Sequence, residues 1–335
     1  MSTPFLSLII CTFNRAGLLK ICLESLLRAE APPCGWEVLV VDNNSEDETP
    51  QVVQKFQKKL GVLRLERIKD RNLSVARNHG CKEARGDYLV YLDDDAKVPP
   101  EYLCNLAQCL GSYTPDLMGG PVYPYYTTAR PRWFRDAYET KKFAEVSGFY
   151  PQTRLTGANF IIRKDVLGKV GYFDPARGMQ GDKYVIGDER KVLDTYRHIV
   201  PENLQKIYYS LECPVFHHVD PKKLRFHYFL YRFYVSAFSN TMIRFELGLP
   251  YPSPAEFLKE ILWLPRNFLT ALLNEHGKKD PSQRDYALAV SRSAAKLGNL
   301  AGTFLLYIRK IRGRNSRKAR PVDSEGSLTK IPKNV

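Results

Sequence analysis

The sequence predicts an α/β protein built on a mostly parallel central sheet, with a helical extension towards its C-terminus. Three observations carry this. Short apolar runs alternate with helical patterns through the first hundred residues, the signature of βαβ units. Three long helical stretches follow Pro221. Between them, the carboxylates Asp93-Asp94-Asp95 close an apolar run, Tyr88-Leu89-Val90-Tyr91-Leu92. Ligands of open α/β sheets bind beyond the carboxyl ends of strands, so this triplet stands where a site belongs.

The elements read in order. Residues Leu6–Cys11, Val38–Val41, Leu63–Ile68 and Tyr88–Leu92 have the length and β-branched or aromatic content of buried strands. Ala16–Arg28, Asp47–Leu60, Ser74–Ala84 and Pro100–Leu110 carry helical spacing. Ser45 with Glu48 three residues on matches a capping box for the second helix. From Asp116 to His218 the chain is rich in Gly, Pro and aromatics, with a strand at Asn159–Arg163 and a helix starting near Gly187. The last helices are Leu224–Leu247, Pro254–Asn274 and Gln283–Arg312. The final ~20 residues are polar and read as disordered.

Composition narrows the class. At 335 residues and 44% hydrophobic content the chain can bury a sizeable core. No apolar run approaches the ~18 residues of a membrane span, and no secretory leader is visible. Seven scattered cysteines without a C-x-x-C pair argue against zinc and disulfide frameworks, so a cytoplasmic protein is expected. The net charge of +14 is uneven: nine basic and two acidic residues fall between Ala301 and Val335. Such a tail is either solvated or an anchor for an anionic partner.

The strand-end triplet invites a divalent ion, because crowded carboxylates repel and Mn²⁺ or Mg²⁺ bridges carboxylate to phosphate oxygens. A solvated acidic turn is the alternative. Alternation places Asp93 and Asp95 on one face and Asp94 on the other. The first two strands run into Thr12-Phe13-Asn14-Arg15 and Asp42-Asn43-Asn44-Ser45. These polar groups precede helices, where they serve a ligand or simply cap. No G-x-G-x-x-G or P-loop pattern occurs.

Taken with Ala76-Arg77-Asn78, Gly157-Ala158-Asn159 and Gly187-Asp188-Glu189, these motifs fall in one order over roughly residues 5–220. The set resembles family 2 of the glycosyltransferases, with the GT-A fold. The resemblance implies an inverting, metal-dependent transfer from a nucleotide-diphosphate sugar to a hydroxyl of a glycan or lipid-linked acceptor, in cell-surface polysaccharide synthesis. It implies nucleotide contacts from Thr12, Asn14, Arg15, Asp42, Arg77, Asp93 and Asp94, and a metal on Asp95. It places the base at Glu189, with Asp188 as rival, since the family's usual Glu-Asp order is reversed here. One of His217 and His218 would complete the metal shell, their strand alternation allowing one at most. Gly157, Ala158, Asn159 and Trp133 would face the sugar or acceptor, although Trp133 also suits core packing. The Gln-x-x-Arg-Trp motif of processive synthases is absent.

The organisation expected is a catalytic region over 1–220, divided near 115 into nucleotide and acceptor halves. A helical region over 221–312 and the basic tail follow. Apolar stripes on the last two helices, Phe257 to Leu273 and Leu297 to Ile308, either pack, on the protein or in a homodimer, or enter an anionic membrane surface. Two other classes lack their signatures here. A nucleotidyltransferase would show a Gly-rich, Lys-bearing loop after its first strand. A nucleic-acid binder would carry its charge along a folded groove rather than in a tail. Nucleic acid is not an expected partner.

Overall fold

The computed structural model describes residues 5–177, 187–248, 252–276, 278 and 285–318. β1 (Leu6–Thr12), α1 (Ala16–Arg28), β2 (Trp36–Asp42), α2 (Thr49–Gln57), β3 (Leu63–Arg67), α3 (Leu73–Glu83) and β4 (Tyr88–Leu92) alternate as the sequence predicts. Successive strand residues face opposite layers. Leu8, Ile10, Val38 and Val40 pack with Leu19, Leu23, Val53 and Phe56 of α1 and α2. Ile9, Leu39 and Val41 pack with Ala76 and Cys81 of α3. Burial on both faces is why these strands read as continuous apolar runs. The parallel register sets Thr12 opposite Asp42, so the two polar ends are level.

The chain continues through β5 (Ala96–Lys97), α4 (Tyr102–Tyr113), β6 (Leu117–Gly119), β7 (Val122–Tyr125), β8 (Gly148–Phe149), β9 (Asn159–Arg163), α5 (Lys164–Lys169), α6 (Asp188–Ile199), β10 (Ile207–Tyr209) and β11 (Val215–His218). The main sheet has the order β3-β2-β1-β4-β9-β6-β10-β8, and a second sheet the order β5-β11-β7. β9 runs antiparallel to both β4 and β6. The small sheet matters most for the site. It pairs His217 with Ala96, immediately after the carboxylate triplet, and the Asp95 carbonyl accepts from the His218 N–H at 3.0 Å.

Three helices follow: α7 (Phe226–Glu246), α8 (Pro254–His276) and α9 (Tyr286–Lys318). Phe229 of α7 packs with Phe134 and Tyr138. α9 lies closely along α7 through small residues. A Cβ on Gly298 would stand 2.1 Å from the Tyr234 carbonyl oxygen, and one on Gly302 3.0 Å from Thr241.

Some expectations need correcting. Ser45 does not cap α2: its hydroxyl accepts from the Asn14 N–H at 2.9 Å, and its own N–H donates to Asp42 at 2.8 Å. The first two strand-end loops hold each other instead. The stripe read on α9 divides between two faces: Leu297 and Phe304 are exposed, whereas Leu300 of the same stripe is buried, as is Leu306 outside it. All seven cysteines are free thiols, four of them buried. Among the described residues no helix is long and apolar enough to cross a membrane. The basic tail beyond Lys318 and the side chains after Ile308 lie outside the described residues.

Candidate active site

The β4 carboxylates divide as strand alternation requires. Asp94 is buried and accepts from Thr12 Oγ1 at 2.7 Å and from Arg15 Nη1 at 2.8 Å. Asp93 and Asp95 turn to His217, whose Nε2 lies 3.3 Å from Asp93 Oδ2 and 3.1 Å from Asp95 Oδ1. One donor atom from each of Asp93, Asp95 and His217 falls within 4.8 Å of the other two. Asp95 Oδ1 is buried and has no hydrogen bond of good geometry, its near neighbour being that imidazole. Two carboxylate oxygens and an imidazole nitrogen suit Mn²⁺, so these residues could hold a divalent ion.

Charge balance in the cluster explains its titration. Burial opposes ionised Asp93, but the hydrogen bond from His217 and the charge of Arg77 outweigh it and lower its pKa. Burial also opposes protonated His217, yet Asp95 and Asp93 raise it above the ordinary histidine value. Asp94 is raised by burial, which Arg15 offsets only in part, with Asp95 adding to the rise.

A cavity of about 240 Å³ opens beside this cluster, lined by Arg77, Asp93, Gly157, Asp188, Glu189 and His217 among others. α3 presents Arg77 and α6 presents the two acids in its first turn. Gly187 enters that turn with φ +102°, and a Cβ there would stand 2.8 Å from Ile243 of α7. A side chain is therefore excluded both by conformation and by space. Arg77 Nη1 lies 2.5 Å from Asp188 and 3.9 Å from Glu189, while Nη2 lies 3.4 Å from Asp93. Gly157 leaves room for that guanidinium, since a Cβ would approach it to 2.6 Å.

The adjacent acids differ sharply. Against the cost of burial, Arg77 lowers Asp188 below the ordinary aspartate value. Glu189 is raised by burial and by the charge of Asp188. Its side chain keeps 27% exposure, against 4% for Asp188. A carboxyl group facing a cavity, beside a cluster whose donor atoms suit a cation, is an arrangement that metal-assisted group transfer can use.

Residues 7–171, just under half of the chain, match the family model described as Glycosyl transferase family 2. Over these residues the chain is similar to that family. Its curated relatives include the glucosyl-dolichyl phosphate glucuronosyltransferase of Haloferax volcanii, 24% identical over 76% of this chain and 82% of the relative. Glycosyltransferase AglE of the same organism is 30% identical over 51% of this chain and 56% of its own length. Solved glycosyltransferase structures share the fold. S. aureus TarS 1-349 in complex with UDP-GlcNAc has TM-score 0.54 at 18% identity, over 92% of each chain. The mannosyltransferase PcManGT of Pyrobaculum calidifontis, with GDP-Man and Mn²⁺, has TM-score 0.53 at 17% identity, over 95% of this chain and 81% of that one.

The structure gathers Arg15, Arg77, Asp93, Asp94, Asp95, His217, Asp188 and Glu189 around one centre, and Gly157 and Ala158 line its cavity. It does not bring His218 there. That ring turns the other way, to Thr127 Oγ1 at 2.9 Å and to Tyr125. Trp133 packs against Phe134, Phe226 and Phe229, away from the cavity lining. Asn159 is buried as a brace, accepting from Tyr102 Oη and donating to the Cys213 carbonyl, each at 2.8 Å. Asn14 braces the loop pair through Glu46 N–H. Asp42 is fully buried beneath Arg67 Nε at 2.9 Å. Sequence reasoning missed Arg67, Glu139, Lys141, Lys223 and Arg232. The last four line the cavity, yet nothing in their spacing marks them, because the chain joins them only through loops and α7.

Proposed function

We propose that this glycosyltransferase moves a sugar, with inversion, from a nucleotide-diphosphate donor to an acceptor hydroxyl, with Glu189 as the base. One observation carries the reading: Glu189 opens into the same cavity as Asp93 and His217, while its neighbour Asp188 is held by Arg77. A base must be within reach of the acceptor hydroxyl and must not already be neutralised by a cation. Glu189 meets the second condition better than Asp188. Asp93, Asp95 and His217 would hold Mn²⁺ or Mg²⁺, which when bound would offset the charge on the departing diphosphate. Arg77 orients Asp188 and reaches towards the donor, and Asp94 keeps Thr12 and Arg15 in place at the nucleotide edge.

Several findings support the finer points. The structures of TarS with UDP-GlcNAc and of PcManGT with GDP-Man and Mn²⁺ favour a nucleotide-sugar donor and a metal. A relative named for a dolichyl phosphate acceptor favours a lipid-linked substrate. α8 exposes Leu258, Ile261, Leu262, Trp263, Leu269 and Leu273, a face suited to a lipid interface. On this reading residues 1–220 form the catalytic region, and the helices over 221–312 hold it at a membrane surface that bears the acceptor.

Calorimetric titration with UDP and GDP, with and without Mn²⁺, tests the donor site. Wild-type protein is expected to bind one of them more tightly with the ion, and Asp95→Ala to lose that increment. Equal affinity in both proteins would remove the metal role from Asp95.

A further inference from the structure

A second group of charges lines the cavity, apart from the cluster around Arg77 and His217. Glu139, buried next to the short helix Asp136–Tyr138, pairs with Arg232 of α7 and lies 3.7 Å from Lys223 Nζ. Lys141 stands beside it, its Nζ donating to the Tyr138 carbonyl at 3.2 Å. Among the described residues, Lys141, Lys223 and Arg232 line this part of the cavity around Glu139. Lys223 and Arg232 retain only 18% side-chain exposure each.

Holding lysine ammonium groups away from water is unfavourable unless something offsets their charge. The strain registers in both lysines. Burial lowers Lys141 despite Glu139, with Arg232 and Lys223 adding to the fall. Burial lowers Lys223 likewise, again despite Glu139 and with Arg232 contributing. A neutral sugar hydroxyl would not relieve this, whereas an anionic group would, by charge-assisted hydrogen bonds. The position is informative too. Lys223 is close enough to feel Asp95 and Asp93, and Lys141 and Glu139 share the cavity with Glu189. An anion bound here would lie near the reacting centre.

We infer that Lys141, Lys223 and Arg232, braced by Glu139, form an anion subsite that selects a substrate bearing a carboxylate or phosphate. This deepens the glycosyl-transfer reading and rests on it. The anion has two possible sources: the carboxylate of a uronic acid on the donor, or the phosphate of a lipid-phosphate acceptor.

The test uses full-length protein with Mn²⁺ and measures affinity in two arms. The donor arm compares UDP-glucuronate with UDP-glucose, and GDP-mannuronate with GDP-mannose. The acceptor arm compares farnesyl phosphate with farnesol in the presence of the nucleoside diphosphate. In at least one arm the anionic member is expected to bind about tenfold more tightly, a difference of about 1.4 kcal/mol. The arm that responds names the source. Lys141→Gln and Lys223→Gln should each reduce that preference to about twofold or less, with the affinity for UDP or GDP alone little changed in Lys141→Gln. Thermal melts check folding, and if one variant fails to fold the other decides. No preference in either arm overturns the subsite, as does a preference that survives both substitutions. An equal loss for the bare nucleoside diphosphate also overturns it, because these cations would then serve only the donor's diphosphate. Failure of wild-type protein to bind any nucleotide would instead overturn the glycosyl-transfer reading itself.

Discussion

Asp188 and Glu189 are neighbours in sequence and opposites in circumstance. Arg77 holds one ionised, and burial beside that charge pushes the other up. The sign for stability follows. A carboxyl raised in the folded state binds its proton more tightly there than in the unfolded chain, so stability falls as pH rises through that window. Glu189 should thus weaken the fold at pH 8 and not below its ordinary value of 4.5. Glu189→Gln is expected to raise the melting temperature by roughly 2 °C or more at pH 8, with the gain vanishing near pH 4. Differential scanning calorimetry at the two pH values checks it, and a loss at pH 8 would mean the carboxylate is stabilising. At this scale the sequence was partly legible. Alternation separated Asp94 from Asp93 and Asp95, and it allowed one histidine at most. Choosing His217 over His218 needed the pairing of β11 with β5, which no local pattern encodes. The Ser45 cap failed because a hydroxyl with two candidate partners took the one across the loop.

At the scale of elements, long periodic segments were readable and short ones were not. α1 and β4 have the bounds their apolar spacing predicts, because each buries a full face or a full run. β5 to β8, β10 and β11 have two to four residues each, too few to show a period. Yet the small sheet they supply is what carries His217 to the carboxylates. The turn into α6 is equally local and equally decisive. Gly187→Ala adds a side chain at φ +102° and drives it against Ile243. Strain of this kind costs about 1–3 kcal/mol. The variant should melt several degrees lower and lose transfer more than about tenfold, since the same turn aims Glu189. Wild-type rates in a stably folded Gly187→Ala would show that the position of the turn is immaterial.

Across the whole molecule, the acidic strand end and the cationic cavity wall are brought together by distant parts of the chain, and α8 exposes an apolar face. The motif order anticipated the first of these. The cavity wall was invisible because Glu139 meets Lys223 and Arg232 across a sequence gap of more than eighty residues. The α8 stripe was visible, but only the fold reveals that Ile261, Leu262, Leu269 and Leu273 remain exposed rather than packed. Co-sedimentation with anionic vesicles should therefore exceed that with neutral ones and decline with salt. Replacing Leu262 and Leu269 by Ser should reduce it several-fold. Binding indifferent to both changes would make α8 a protein-contact surface. The central claim, glycosyl transfer with Glu189 as base, is tested most directly by measuring donor affinity and sugar transfer on Glu189→Gln in parallel, with Asp188→Asn as comparison. Donor affinity is predicted to stay at the wild-type value while transfer falls by about 10²–10⁴-fold, the usual contribution of a positioned base. Transfer that persists in Glu189→Gln but is abolished in Asp188→Asn, with donor still bound, would contradict the account.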